Sequence, residues 1–202
     1  MTTQSFALFD TAIGRCGIVW GERGIAGVQS PEPTDAATRT RLTRRYPDAR
    51  EATPPDDVQR AIGGIAALLS GERRDLSGIA LDFERVPEFN RRVYEIARTI
   101  PPGETLTYGE IATRLGDRSV ARDVGTALGQ NPFPLIVPCH RVLAAGGKTG
   151  GFSAPGGVKT KLRLLSIEGA RTGDEPGLFA KLPLVAAPRQ RMSRKSGRRF
   201  SE

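Results

Sequence analysis

Histidine is almost missing from this chain, which has one, His140, and only two cysteines, Cys16 and Cys139. A two-histidine metal clamp, an HExxH helix and a Cys2His2 site are all excluded, and a four-ligand zinc site could be completed only with carboxylates. Two cysteines cannot form a disulfide framework. No stretch approaches the roughly 18 consecutive apolar residues of a membrane-spanning helix. The start, Met1 to Ser5, lacks a basic region leading into an apolar core, so no secretory signal is expected. With no signal and few cysteines, a reducing cytoplasm is the expected compartment.

What is present is glycine, proline and positive charge. Among 202 residues there are 24 Gly and 15 Pro, so turns and irregular loops are expected to be frequent. Hydrophobic residues make up 38%, enough for a compact core, and the length suits one large domain or two small ones. Lys and Arg number 30 against 22 Asp and Glu, giving +8 and a pI near 10.2. Such a chain suits polyanions, with DNA, RNA and membrane surfaces as candidates. Much of the excess lies between Pro188 and Glu202, where six basic residues face one glutamate. That segment lacks apolar periodicity and is expected to be disordered, either as a solubilising tail or as an electrostatic arm for nucleic acid.

The first 85 residues read as a small α+β unit. Strands are predicted at Phe6–Phe9, Gly17–Trp20, Gly24–Val28 and Ile79–Phe83. A polar helix capped by Thr34 is expected to reach Tyr46, and a firmer one to run from Asp57 to Leu69 with Val58, Ala61, Ile62, Ile65, Leu68 and Leu69 in register. This unit holds no catalytic constellation and reads as scaffold. Beyond it, Pro87 to Arg98 is predicted helical with Phe89, Val93, Ile96 and Ala97 inward. Thr107 and Glu110 form a capping box for a helix ending at Leu115. Ser119 is the expected cap of the next helix, which carries Val120, Val124, Ala127 and Leu128 on one face. Two short capped helices around a glycine turn fit a helix-turn-helix, and equally a plain helical hairpin. The last predicted helix, Val158 to Glu168, turns Val158, Leu162 and Leu165 inward.

Chemistry concentrates between Asn131 and Val142. Three prolines in seven residues forbid a helix interior or a central strand, yet Leu135, Ile136 and Val137 are strongly apolar. A rigid buried segment is implied, which delivers Cys139 and His140 to a fixed place. A thiol beside the only imidazole can be activated as a thiolate, with a water more suited than direct contact to link adjacent side chains. An inert buried cysteine beside a packed imidazole is the alternative. Two other motifs fail on spacing. Gly147-Lys148-Thr149 lacks the earlier glycine of a phosphate loop, since Val142 stands there. Gly151-Phe152-Ser153-Ala154 lacks the closing glycine of a nucleophile elbow, since Pro155 stands there. Gly146 to Gly157 therefore reads as a tight loop that backbone or ligand approaches closely.

The string Pro138-Cys139-His140-Arg141-Val142, preceded by Asn131-Pro132 and followed by a glycine-rich loop and Glu168-Gly169, resembles the O6-alkylguanine-DNA alkyltransferases. Upstream, Thr107-Tyr108-Gly109-Glu110-Ile111-Ala112 and Ala121-Arg122-Asp123-Val124-Gly125 are similar to that family's helix-turn-helix in kind and order. The resemblance is close from Val86 to Ala170 and loose before it. It implies a ribonuclease-H-like N-terminal domain (1–85), a mostly helical DNA-binding and catalytic domain (86–170) and an extension (171–202). It implies single-use transfer of methyl or larger alkyl groups from guanine O6, and from thymine O4, in double-stranded DNA. Cys139 is the implied nucleophile and His140 its base through water. Glu168 would hold the imidazole and favour its charged form, and Asn131 would tie the second helix to the active-site segment.

The same resemblance assigns the remaining positions. Tyr108 would turn the nucleotide and donate to the base, with Ser153 near O6. The carbonyls of Cys139 and Val142 would read the exocyclic amine. Phe152 (a frequent Tyr in the family), Pro134, Gly150 and Ala154 would bound the pocket, and the small residues suggest room for groups larger than methyl. Arg122 would fill the vacated stack, with Ala121, Gly125 and Arg118 also at the DNA. Arg141 would be a structural bridge. No metal or other cofactor is implied, and the expected state is a monomer without an obligate protein partner. The alternative reading is a non-catalytic relative that flips and flags the lesion.

Overall fold

The computed structural model describes residues 4–170; the basic extension, with its expected disorder, lies outside them. Three strands, β1 (Ser5–Thr11), β2 (Gly14–Gly21) and β3 (Gly24–Gln29), form an antiparallel meander. They are longer than the apolar runs predict because each hairpin turns on a glycine with positive φ, Gly14 at 128° and Gly24 at 115°. A short strand, β4 (Arg50–Glu51), pairs parallel to β1 at Ser5 and Phe6, giving the order β3-β2-β1-β4. Two polar residues carry no strand signal, so β4 could not be read from sequence.

Both faces of β2 are covered. Helix α1 (Asp35–Arg45) places Leu42 against Phe6 and Val19. It starts where expected, with the Thr34 hydroxyl accepting from the Ala37 N–H at 3.2 Å. Helix α2 (Asp56–Leu69) buries Val58, Ala61, Ile65 and Leu68 against the side carrying Ile18 and Trp20. Each of the valine, isoleucine and leucine side chains contributes about 1.5–3 kcal/mol on leaving water.

The predicted strand at Ile79–Phe83 does not form. Only one bridge is made, Ile25 to Leu81, through Ile25 N–H to Ala80 O and Asp82 N–H to Ile25 O. Asp82 explains the interruption, because its carboxylate takes Arg23 and the Glu84 N–H, bending the chain away from the sheet.

Helix α3 (Glu88–Arg98) follows. It buries Val93 and Ala97 as predicted, and also Tyr94, whose hydroxyl donates to Ala127 O at 2.8 Å. Helix α4 (Tyr108–Arg114) has the complete capping box of Thr107 and Glu110. Ser119 does not cap the next helix: Asp117 accepts from its N–H and hydroxyl and caps a 3-10 turn, and Val120, before that helix, makes no side-chain cap. Residues Arg118–Val120 make one 3-10 turn, and α5 (Ala121–Gly129) starts one residue later than a Ser119 cap implies.

The last helix, α6 (Val158–Ile167), keeps Leu165 inward as expected but turns its N-terminal end, Val158, outward. Val158 is exposed, while Lys161, Leu164, Leu165 and Glu168 are buried. The apolar pattern misled because this face includes two charged residues that find partners inside. One apolar cluster runs from Ile18 and Ile65 through Val93 and Tyr94 to Ile111, Val124 and Phe133, so the two halves of the chain share a core. Among the described residues no helix is long and apolar enough to cross a membrane.

Candidate active site

Phe133 anchors the proline-rich segment. Its ring is fully buried, edge-on to Phe83 at 5.5 Å and Tyr94 at 6.4 Å. Asn131 then clamps the bend, donating to Val137 O at 2.9 Å and accepting from the Phe133 N–H at 2.8 Å. Leu135 is forced to φ 77°, a left-handed conformation that only a well-held loop sustains in a leucine. The chain emerges as one 3-10 turn, Cys139–Arg141. It then becomes β6 (Val142–Leu143), parallel to β5 (Leu106–Thr107). That two-strand ladder places the start of α4, and so Tyr108, beside the cysteine segment.

Behind the thiol lies a buried polar chain. His140 Nε2 meets Glu168 Oε1 at 2.9 Å, both side chains fully shielded. Arg141 grips the same carboxylate with Nε and a terminal nitrogen, each at 2.8 Å, and spans to Ile100 O. Burial pushes Glu168 up, but the His140 and Arg141 hydrogen bonds more than reverse this and hold it at about 2. Glu168 pulls the imidazole toward its charged form, by hydrogen bond and by charge. Burial pulls His140 down, and the Arg141 and Lys161 charges add to that against the pull of Glu168. The balance lies below the ordinary imidazole value, which favours the neutral ring. In that form Nε2–H donates to the ionised Glu168, and Nδ1, buried without a partner among the described residues, is left as an acceptor.

Cys139 itself is partly exposed. Burial raises its thiol, opposed by the Asn131 amide, the Lys161 charge and nearby backbone N–H groups. Cys16, in contrast, is wholly buried in β2 with its thiol pushed up to about 12, and is inert.

Lys161 went unnoticed in the sequence. Its side chain is entirely buried, with Nζ donating to Val142 O at 2.6 Å and lying 5.8 Å from the Tyr108 ring centre and 6.0 Å from that of Phe152. Burial lowers it to about 8, although the Cys139 charge supports the ammonium. The available cue was Glu168. A glutamate already assigned an inward role puts the residue seven places earlier on the same helix face.

Two cavities meet at Cys139. One, about 570 Å3, is bounded by Tyr108, Ala121, Arg122, Gly125, Phe152 and the thiol. The other, about 460 Å3, has Asn131, Pro134, Phe152, Ser153, Ala154 and the same thiol on one side and α1 on the other. A larger hollow, about 650 Å3, between α2 and residues 74–80 contains neither cysteine nor histidine, so size alone does not mark the site. Not every expected residue reaches the cavities. Arg118 is exposed in its 3-10 turn and bounds neither. Gly150, at φ 67°, acts through contact, since a Cβ there would come within 3.0 Å of the Tyr108 ring. The Ser153 hydroxyl donates to Gly129 O at 3.1 Å, so its proton is already engaged. The Val142 carbonyl likewise already receives Lys161.

Residues 88–170 match the family model described as the DNA-binding domain of 6-O-methylguanine DNA methyltransferase. A methylated-DNA–protein-cysteine methyltransferase of Methanothermobacter thermautotrophicus is 37% identical over 153 residues, 76% of this chain and 78% of that protein. The chain belongs to the methylated-DNA–protein-cysteine methyltransferase family.

The solved O6-methylguanine methyltransferase of Mycobacterium tuberculosis superposes with a TM-score of 0.65 at 33% identity, covering 88% of this chain and 99% of that one. A second Mycobacterium tuberculosis structure, determined in complex with DNA, gives 0.63 at 31% identity over 82% of this chain and 92% of that one. The mixed α/β fold is thus that of the family. The chain is a DNA-binding repair methyltransferase, and the alternative of a lesion-flagging protein without transfer activity is set aside.

Proposed function

We propose that Cys139 is the alkyl acceptor and that the chain acts once on O6-alkylguanine in double-stranded DNA. The observation that carries this is a partly exposed cysteine, Cys139, lining two cavities, next in sequence to an imidazole whose buried Nδ1 has no hydrogen-bond partner among the described residues. His140 takes the thiol proton through water, with Glu168 holding the ring and stabilising the imidazolium as it forms. The thiolate attacks the alkyl carbon opposite O6. The S–C bond forms as the C–O bond breaks, the electron pair passes to guanine, and guanine takes up the proton the thiol gave. Tyr108, with the buried Lys161 ammonium nearby, is placed to assist at the base. The thioether formed has no low-pKa leaving group, so the protein is spent.

A base inside a duplex is out of reach of this thiol, so the nucleotide is extruded. Helices α4 and α5 act as a helix-turn-helix, with Ala121 and Gly125 allowing close approach to the minor groove and Arg122 filling the gap in the stack. Phosphate contacts make binding independent of sequence and dependent on salt. The order β3-β2-β1-β4 supports a ribonuclease-H-like domain over residues 1–85, with the catalytic domain over 86–170. The protein works as a monomer in the cytoplasm. Groups larger than methyl, and thymine O4 adducts, are within its range because Ala154 leaves the second cavity open beside the thiol.

A duplex with one O6-methylguanine tests the reading. Guanine is restored up to one equivalent per protein chain, while Cys139→Ala binds the lesion duplex and restores none. Restoration by Cys139→Ala, or several guanines per chain, would overturn it.

A further inference from the structure

The second cavity is not neutral. Where it faces α1 it is bounded by Arg41, Arg44 and Arg45, and among the described residues no carboxylate bounds it. Arg41 is partly compensated, with a terminal nitrogen 2.9 Å from Glu32. Among the described residues Arg44 has no ion-pair or hydrogen-bond partner, and Arg45 lies 5.7 Å from the Tyr46 ring centre. An open pocket lined both by Cys139 and by guanidinium groups that are not fully compensated suits a carboxylate.

Reaction geometry gives that pocket a use. In an in-line displacement the attacking sulfur, the carbon and the departing oxygen are collinear. Any further group on the carbon projects sideways, so it needs space beside the thiol that the guanine does not occupy. The first cavity carries the groups expected to meet DNA and base, Tyr108 and Arg122. The second supplies lateral room at the same sulfur.

We propose that the Arg41, Arg44 and Arg45 face of α1 makes this cavity a subsite for negatively charged O6 substituents, so that carboxyalkyl lesions are preferred over neutral ones of the same size. This rests on Cys139 being the acceptor. For O6-carboxymethylguanine the sulfur bonds to the methylene carbon as the C–O bond breaks. Guanine takes the thiol proton, and S-carboxymethylcysteine remains with its carboxylate toward the arginines.

The test compares single-turnover transfer from duplexes carrying O6-carboxymethylguanine and O6-carbamoylmethylguanine, which match in size and differ in charge. Because their intrinsic reactivities differ, the quantity read is the change in their rate ratio between proteins. In Arg44→Gln/Arg45→Gln the ratio falls about tenfold from wild type, the scale of a partly exposed charge-assisted contact. Arg44→Lys/Arg45→Lys keeps most of the preference, and high salt weakens it in wild type. The single variant Arg44→Gln, with a smaller fall, serves if the double variant does not fold. An unchanged ratio overturns the inference. So does an equal loss on both substrates, which would assign the arginines to the DNA backbone. Failure of wild type to transfer methyl from O6-methylguanine would instead overturn the assignment of Cys139 itself.

Discussion

At the scale of single residues, buried charge sets how stability responds to pH. Glu168 ionises near 2 in the folded chain against an ordinary 4.5, so folding favours its charged form. Its contribution is complete above the unfolded value and is lost as pH falls from about 5 toward 2, amounting to about 3 kcal/mol. Glu168→Gln removes that acid limb from a denaturant-measured stability profile and strands Arg141. A fall of about 3–5 kcal/mol at neutral pH is expected. Lys161 has the opposite sense. Its folded value near 8 lies below the ordinary 10.5, so the unfolded chain holds the proton more tightly. Relative to Lys161→Met, the native protein therefore gains stability as pH rises from about 8 toward 10.5, and unfolding titrations of the two proteins test this. A buried ammonium that costs stability at neutral pH is explained by the site it serves, and Lys161→Met should lose transfer rate. Sequence pointed to Cys139 and His140 because the string around them is dense in constraints, whereas Glu168 was named only through the family resemblance. It hid Lys161 because hydropathy counts a lysine as solvent-facing, and only the packing of α6 shows its Nζ on the Val142 carbonyl.

At the scale of elements, glycine and caps position the tyrosine. A Cβ on Gly150 would meet the Tyr108 ring at 3.0 Å and its hydroxyl oxygen at 3.1 Å, on a backbone at φ 67° that disfavours any side chain. Gly150→Ala is expected to displace Tyr108 and slow transfer by about tenfold or more, a 1 Å misplacement being costly to catalysis. Affinity for undamaged duplex, read by titration, should change little. Thr107→Ala removes the cap of α4 and should cost about 1 kcal/mol in denaturant unfolding. The capping box was legible because both its partners are local in sequence. The start of α5 was not, because Asp117 and Ser119 are both competent caps and only the observed bonds show Asp117 holding Ser119. The absent strand at Ile79–Phe83 has a similar cause, in that its apolar alternation was read correctly but Asp82 turned its carboxylate to local partners.

At the scale of the whole molecule, one apolar core joins the two halves. Val28 N–H bonds to Pro132 O at 2.9 Å, joining the β-sheet to the start of the active-site segment. The N-terminal half is thus more than a scaffold, since its α1 helix closes one side of the second cavity. No sequence motif announced that role, because it depends on which helix face meets a segment about 90 residues away. DNA affinity should fall steeply between low and physiological salt, with similar slopes for unrelated sequences, as phosphate-led binding requires. The central claim concerns where the alkyl group ends. The deciding measurement is peptide mapping by mass spectrometry after reaction with excess duplex carrying an isotopically labelled O6-methyl group. The account predicts one label per chain, on the peptide holding Cys139, stable to prolonged incubation. Label on Cys16, or label released as free methanol while the chain turns over, would contradict it.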